Sequence, residues 1–166
     1  MQRAVLVALL LTFSVAQADV KLPGTQVSYK LRADSFSGEN ASMLFVDALE
    51  DPSGKTYVAF VCDLGTPYAR FYSQAALGRV GDAPMTYVRA DQGTRRAVTG
   101  RVRDDLKTGK ASVLDTTSAS TAVLMRAFMS ARTVAVRIER LNMAALTLTF
   151  PSAGFIKGWQ AIRNCD

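Results

Sequence analysis

The chain has 166 residues, 20 lysines and arginines against 14 acids for a formal net charge of +6, two cysteines and no histidine. Without histidine, Ser-His and Cys-His nucleophile activation is excluded, and no imidazole is available to bind a metal or move protons near neutral pH.

The chain opens on an export signal. Arg3, an apolar run from Ala4 to Phe13 and the small-residue exit Ala16-Gln17-Ala18 predict a signal peptide over residues 1–18, cleaved before Asp19. The run is about half the ~20 apolar residues that a transmembrane anchor needs, and no later segment is long enough, so a soluble periplasmic or extracellular protein is expected. Arg3 leaves with the leader, which lowers the net charge by one to +5. Residues 19–166 contain no linker, low-complexity tract or internal repeat, and their length suits a single domain.

Residues 26–32 alternate Val27, Tyr29 and Leu31 against Ser28, Lys30 and Arg32, the pattern of a strand. Asp51-Pro52-Ser53-Gly54 is the clearest turn, with Asp opening it, Pro presetting φ and Gly closing it; it joins 42–50 to 55–63 as a hairpin. The second arm, Tyr57 to Cys62, is apolar on both faces and predicts a central strand covered from both sides. Further strands are expected at 68–73, 85–90, 96–103, 133–140 and 144–150. The last two alternate cleanly, with Val134, Val136 and Ile138 on one face and Leu146, Leu148 and Phe150 on one face.

Two stretches read as helices. Over 120–131, Val123, Leu124, Ala127 and Phe128 fall at helical spacing behind a Ser/Thr start. Over 152–164, Phe155, Ile156, Trp159 and Ile162 form an apolar stripe that Ser152 can cap. Cys62 and Cys165, an even pair in an oxidising compartment, predict one disulfide. It would pin the last helix to the end of the central strand. The expected architecture is mainly β: an antiparallel, sandwich-like single domain with two short helices.

A strand ending in Cys62, a strand Tyr87-Val88-Arg89-Ala90-Asp91, a short helix, two strands closing on Phe150, the Gly154-Phe155 step and a final helix ending in Cys165 resemble the periplasmic accessory proteins associated with type VI secretion. The resemblance covers residues 55–165. It implies a periplasmic β-rich domain with one disulfide and no established enzymatic activity, and it carries over no residue other than the cysteine pair.

The motif inventory is negative: no Ser-x-x-Lys pair, Gly-x-Ser-x-Gly elbow, phosphate loop, dinucleotide fingerprint, calcium loop or Cys-x-x-Cys pair occurs. No catalytic residue, cofactor or metal site is assigned. Carboxylate chemistry of the glycosidase kind remains open, with Asp63, Asp91, Asp104 and Asp105 as the acids to consider. Adjacent Asp104 and Asp105 on a strand would face opposite ways. Asn40-Ala41-Ser42 matches the N-glycosylation tripeptide, which matters only in a secreted eukaryotic protein.

Charge supplies the positive hint about partners. Arg89, Arg95, Arg96, Arg101, Arg103, Lys107 and Lys110 stand against three acids between positions 89 and 110. Arg101 and Arg103 share one strand face, joined by Arg95 if the register is unbroken. Such a face attracts anions, an envelope polymer or acidic protein in an exported chain, although basic residues on an edge strand also guard against sheet-to-sheet aggregation. The interleaving of basic and aromatic residues that marks nucleic-acid binders is missing, since Tyr87 is the sole aromatic nearby. The expectation is a non-enzymatic exported binding or accessory module engaging an envelope component or partner protein. The alternative is a secreted inhibitor of a hydrolase, with loop 78–84 or 93–96 entering the target's active site.

Overall fold

The computed structural model describes residues 19–166; the signal peptide assigned to residues 1–18 lies outside them. The described residues run β1 (Val20–Lys21), β2 (Val27–Lys30), β3 (Met43–Asp47), β4 (Tyr57–Asp63), β5 (Thr66–Tyr72), β6 (Met85–Ala90), β7 (Arg96–Val98), β8 (Gly100–Arg103), β9 (Val113–Thr116), α1 (Ser118–Ser130), β10 (Thr133–Glu139), β11 (Leu146–Pro151) and α2 (Phe155–Ala161), followed by a 3-10 turn at Arg163–Cys165. A seven-stranded sheet has the order β1-β2-β3-β4-β5-β9-β8, and a four-stranded sheet the order β11-β10-β6-β7. Every pairing is antiparallel, as expected for a mainly β, sandwich-like chain.

The inner faces follow from the alternation. Val27, Leu44, Val46, Val58, Phe60, Ala69, Phe71, Val102 and Leu114 of the large sheet meet Val88, Val98, Val134, Val136, Ile138, Leu148 and Phe150 of the small one in a single core. Helices α1 and α2 complete it with Leu124, Phe128, Phe155 and Trp159. Phe60 meets Phe128 and Phe155 edge to face, with ring centroids 5.4 and 5.0 Å apart. Such pairs add about 0.5 to 1.5 kcal/mol beyond area burial.

Three expectations are corrected. The single strand expected over 96–103 is two, and they belong to different sheets: β7 edges the small sheet and β8 the large one. The break falls at Thr99, whose N–H donates to Ser120 Oγ at 2.8 Å and whose carbonyl accepts from Thr117 N–H at 3.1 Å. The backbone groups released from the ladder are thus satisfied by the start of α1, which lets the chain cross between sheets. The final helix is shorter than 152–164. Gly154, at φ +90°, precedes it without a side-chain cap, because the Ser152 hydroxyl donates to Ala131 O. The strand β9 was not foreseen: Val113 and Leu114 are both buried, so no alternation announced it.

Cys62 and Cys165 form the expected disulfide, 103 positions apart in sequence. The tether reaches the 3-10 turn just beyond α2, at the Cys62 end of β4. Asn40 fastens the same region, its Nδ2 donating to Ile162 O at 2.8 Å and Asp166 O at 3.1 Å. The amide of the candidate glycosylation tripeptide is therefore committed to packing. Among the described residues no helix is long and apolar enough to cross a membrane.

Candidate functional site

The face of the large sheet turned away from the core carries an ordered polar surface. Pairing registers set its side chains in rows that cross the strands. One row reads Asp47, Tyr57, Tyr72, Val113 and Arg103; the next reads Ser28, Phe45, Ala59, Arg70, Asp115 and Arg101; the third reads Lys30, Met43, Val61 and Tyr68. Strand period two puts all of them on one face. The long side chains lie down over the short ones: Ala59 is 1% and Val113 2% exposed although no second layer covers them.

Aromatic rings form the middle of this face. Tyr57 and Tyr72 stack with centroids 4.7 Å apart, and Phe45 meets Tyr57 edge to face at 5.7 Å. Burial, followed by the neighbouring Tyr72, pushes the Tyr57 phenol up to about 12, so it stays a neutral hydroxyl at any physiological pH. Arg70 lies over the Tyr68 ring at 5.5 Å and donates to Tyr72 Oη at 3.3 Å. Its guanidinium grips Asp115 through two nitrogens, and Arg103 Nε stands 3.7 Å from the same carboxylate. Partial burial works against the Arg70 charge; the hydrogen bonds to Tyr72 and Asp115 more than offset it.

At the Tyr57 end the face runs into a groove of about 410 Å³ between the 51–54 turn and the loop linking β8 to β9. Tyr57 and Tyr72 line it together with Lys55, Lys107, Lys110 and Asp105. Both walls are rigid for a local reason. In the 51–54 turn, Asp51 accepts from Ser53 N–H at 3.0 Å and from Gln74 Nε2 at 2.6 Å. In the opposite wall, Asp105 accepts from Lys107 N–H at 2.9 Å and Thr108 Oγ1 at 3.1 Å, and Gly109, at φ +66°, closes the loop.

The seven basic residues singled out in the sequence divide among different surfaces. Arg101 and Arg103 lie on the outer face of the large sheet, and Lys107 and Lys110 on the rim of its groove. Arg89 stands instead on the outer face of the small sheet, opposite Ala135. Arg95 precedes β7 and lies over the Tyr87 ring of that sheet at 4.9 Å. Arg96, opposite Val88, belongs to the other strand parity. The continuous register from Arg95 to Arg103 does not exist, because Thr99 breaks it. Lys55, Arg70, Tyr57 and Tyr72 were missed as site residues, being remote in sequence from the basic segment.

The four acids considered for catalysis are dispersed. Asp63 ends β4 at the hairpin into β5. Asp91 directly follows β6, and its carboxylate accepts from the Arg132 and Thr133 N–H groups and from Thr133 Oγ1. These backbone bonds, Thr133 first, hold its pKa below the usual carboxylate value. Asp105 organises its loop, and Asp104 follows β8 outside any strand. Among the described residues no group of three or more potential metal ligands is gathered.

No family model, curated protein or solved structure matches this chain. The chemistry of the site therefore has to be read from its own geometry.

Proposed function

We propose that this chain is a non-enzymatic exported module that binds an envelope component or a partner protein. One observation carries the reading: the outer face of the seven-stranded sheet is uncovered, yet its cations and aromatic rings are held in register by ion pairs and stacking. Cross-strand pairs also stabilise a solvated sheet face; what points to a ligand is that this face ends in a groove whose Lys55, Lys107 and Lys110 take part in no ion pair among the described residues. Export is supported by the Cys62–Cys165 disulfide, since such bonds persist in oxidising compartments. The export signal at residues 1–18 and the resemblance to type VI secretion accessory proteins belong to the same proposal.

The test is fractionation of cells expressing the full chain, followed by co-sedimentation of the purified mature protein with isolated envelope. The expected result is a processed protein beginning at Asp19 that sediments with the envelope and is released by salt. A cytosolic, unprocessed protein with no envelope association would overturn the reading.

The hydrolase-inhibitor alternative is favoured by one feature. Loop 78–84 is stapled to the outer edge of β8 by Gly81 N–H to Val102 O at 2.9 Å and Val102 N–H to Asp82 O at 2.8 Å, with Val80 exposed just before them. A loop held in one conformation before it meets its target loses less freedom on binding, which is what such an inhibitor needs. Dose-dependent inhibition of an envelope lytic enzyme, abolished by Val80→Asp, would select this reading over the first.

A further inference from the structure

Tertiary structure assembles at the Tyr57 end of the large sheet what the sequence keeps apart: an aromatic floor and a cationic rim. Tyr57 and Tyr72 come from β4 and β5, Lys55 from the 51–54 hairpin, Lys107 and Lys110 from the β8–β9 loop, and Arg103 from β8 in the same row as the two tyrosines. The acid lining the groove, Asp105, already accepts two hydrogen bonds from its own loop, and Asp115 beyond it is held by Arg70 and Arg103. The three lysines take part in no ion pair within 4 Å among the described residues. Their charge is available to a ligand.

We infer that this groove binds an acidic polysaccharide, a glycan chain bearing carboxylates, with a sugar ring lying against the stacked Tyr57–Tyr72 pair and its carboxylates paired to Lys55, Lys107 and Lys110. The inference rests on the binding reading above and names its site and ligand class. Three features select this class. Tyr57 and Tyr72 stack on each other and Phe45 meets Tyr57 edge to face, so the apolar area left to the C–H face of a pyranose is the ring edges and the outer face of Tyr72. The tyrosine hydroxyls and lysine ammonium groups supply hydrogen bonds at the edge of that area. The rows continue along the sheet through Arg70, Arg101 and Tyr68 to Lys30, so an extended chain meets cations and aromatic groups beyond the groove itself. A single-stranded nucleic acid would use the same two forces, stacking and backbone charge. The exported setting favours the glycan, and the test separates the two.

The experiment is titration calorimetry of the mature protein, residues 19–166 with the disulfide formed, against alginate as the carboxylated glycan. Dextran serves as the uncharged glycan, oligothymidylate as the nucleic acid, and phosphatidylglycerol vesicles as an anionic surface. Alginate is expected to bind with an affinity that falls as salt rises, and dextran to bind at least tenfold more weakly. The double variant Lys107→Glu/Lys110→Glu, which changes only exposed side chains, should weaken alginate at least tenfold with an unchanged Tm. Tyr72→Leu should weaken it while leaving the salt dependence in place. Arg89→Glu/Arg95→Glu, on the small sheet, should leave it unaltered. Absence of alginate binding, tighter binding of oligothymidylate or vesicles, or equal loss from the two charge reversals would overturn the assignment. If Lys107→Glu/Lys110→Glu still sediments with envelope as the parent does, the groove is wrong while the envelope-binding reading stands. If the parent protein does not sediment at all, that reading fails first.

Discussion

Single carboxylates hold several of the turns in this protein. Asp34 accepts from Phe36 N–H at 2.9 Å and Ser37 N–H at 2.8 Å, Asp51 from the Ser53 side chain and Gln74, and Asp91 from Thr133 and Arg132. For Asp34 and Asp91 the leading cause of a lowered pKa is a backbone hydrogen bond, from Ser37 and Thr133; for Asp51 it is the Ser53 side chain. A carboxylate whose folded pKa lies below its unfolded value contributes stability that is fully present above that value, near pH 4, and is lost as pH falls through the folded pKa. The melting temperature is therefore expected to be flat from pH 5 to 7 and to fall below pH 4, modestly because none of the three carboxylates is buried. In Asp51→Asn the acid slope should be shallower; an identical slope would show that titration of the Asp51 carboxylate contributes nothing to it. Leu64 offers a second test at this scale. It sits at φ +48° beside Gly65 at +75° in the two-residue turn between β4 and β5, a geometry that asks for Asn-Gly, and its side chain is exposed. Leu64→Asn is expected to raise stability by about 0.5 to 1 kcal/mol in urea unfolding.

At the scale of elements, close approach decides where glycine must stand. A Cβ at Gly158 would lie 2.3 Å from Leu44 Cδ1 and 3.1 Å from Val27 Cγ1, so α2 can pack on β2 and β3 only without a side chain there. Gly158→Ala is expected to cost about 1 to 3 kcal/mol by forcing the helix outward, measured by denaturant midpoint at unchanged m-value. Gly100 is less forgiving still, since its Cβ would stand 2.4 Å from Asp115 O, a backbone atom that cannot swing away. It marks where the chain, having left the small sheet at Thr99, is drawn in as the edge strand of the large one. Elements with clean alternation were legible in advance: β6 was read at its observed bounds, and β10 and β11 to within a residue or two. The Thr99 break was not, because its reason is a hydrogen bond to Ser120 of a helix that begins only at Ser118, 19 positions later. β1 is only two residues long, too short for any periodicity to register.

For the whole molecule, the Cys62–Cys165 bond ties a central strand of the large sheet to the chain's last turn. Closing a loop of about 100 residues stabilises a fold by roughly 4 to 5 kcal/mol in the chain-entropy model, comparable to the net stability of many domains. Cys62→Ser/Cys165→Ser is expected to lose about that much in urea unfolding. A loss under 1 kcal/mol would mean that packing of Phe155 and Trp159 alone holds the C-terminal region. Composition and local pattern by themselves determined the β-rich class, the paired cysteines, most strands and both helices, because alternation, turn chemistry and thiol count are properties of neighbouring residues or of the chain as a whole. Only the tertiary structure decided which charges share a surface. Strand pairing brings Tyr57 and Tyr72 beside Lys107 and Lys110 across some fifty and thirty-five positions of sequence, and sends Arg89 and Arg95 to a different sheet although they lie closer along the chain. A binding face is a property of register between strands, and register is set by long-range burial, which no local window of sequence contains.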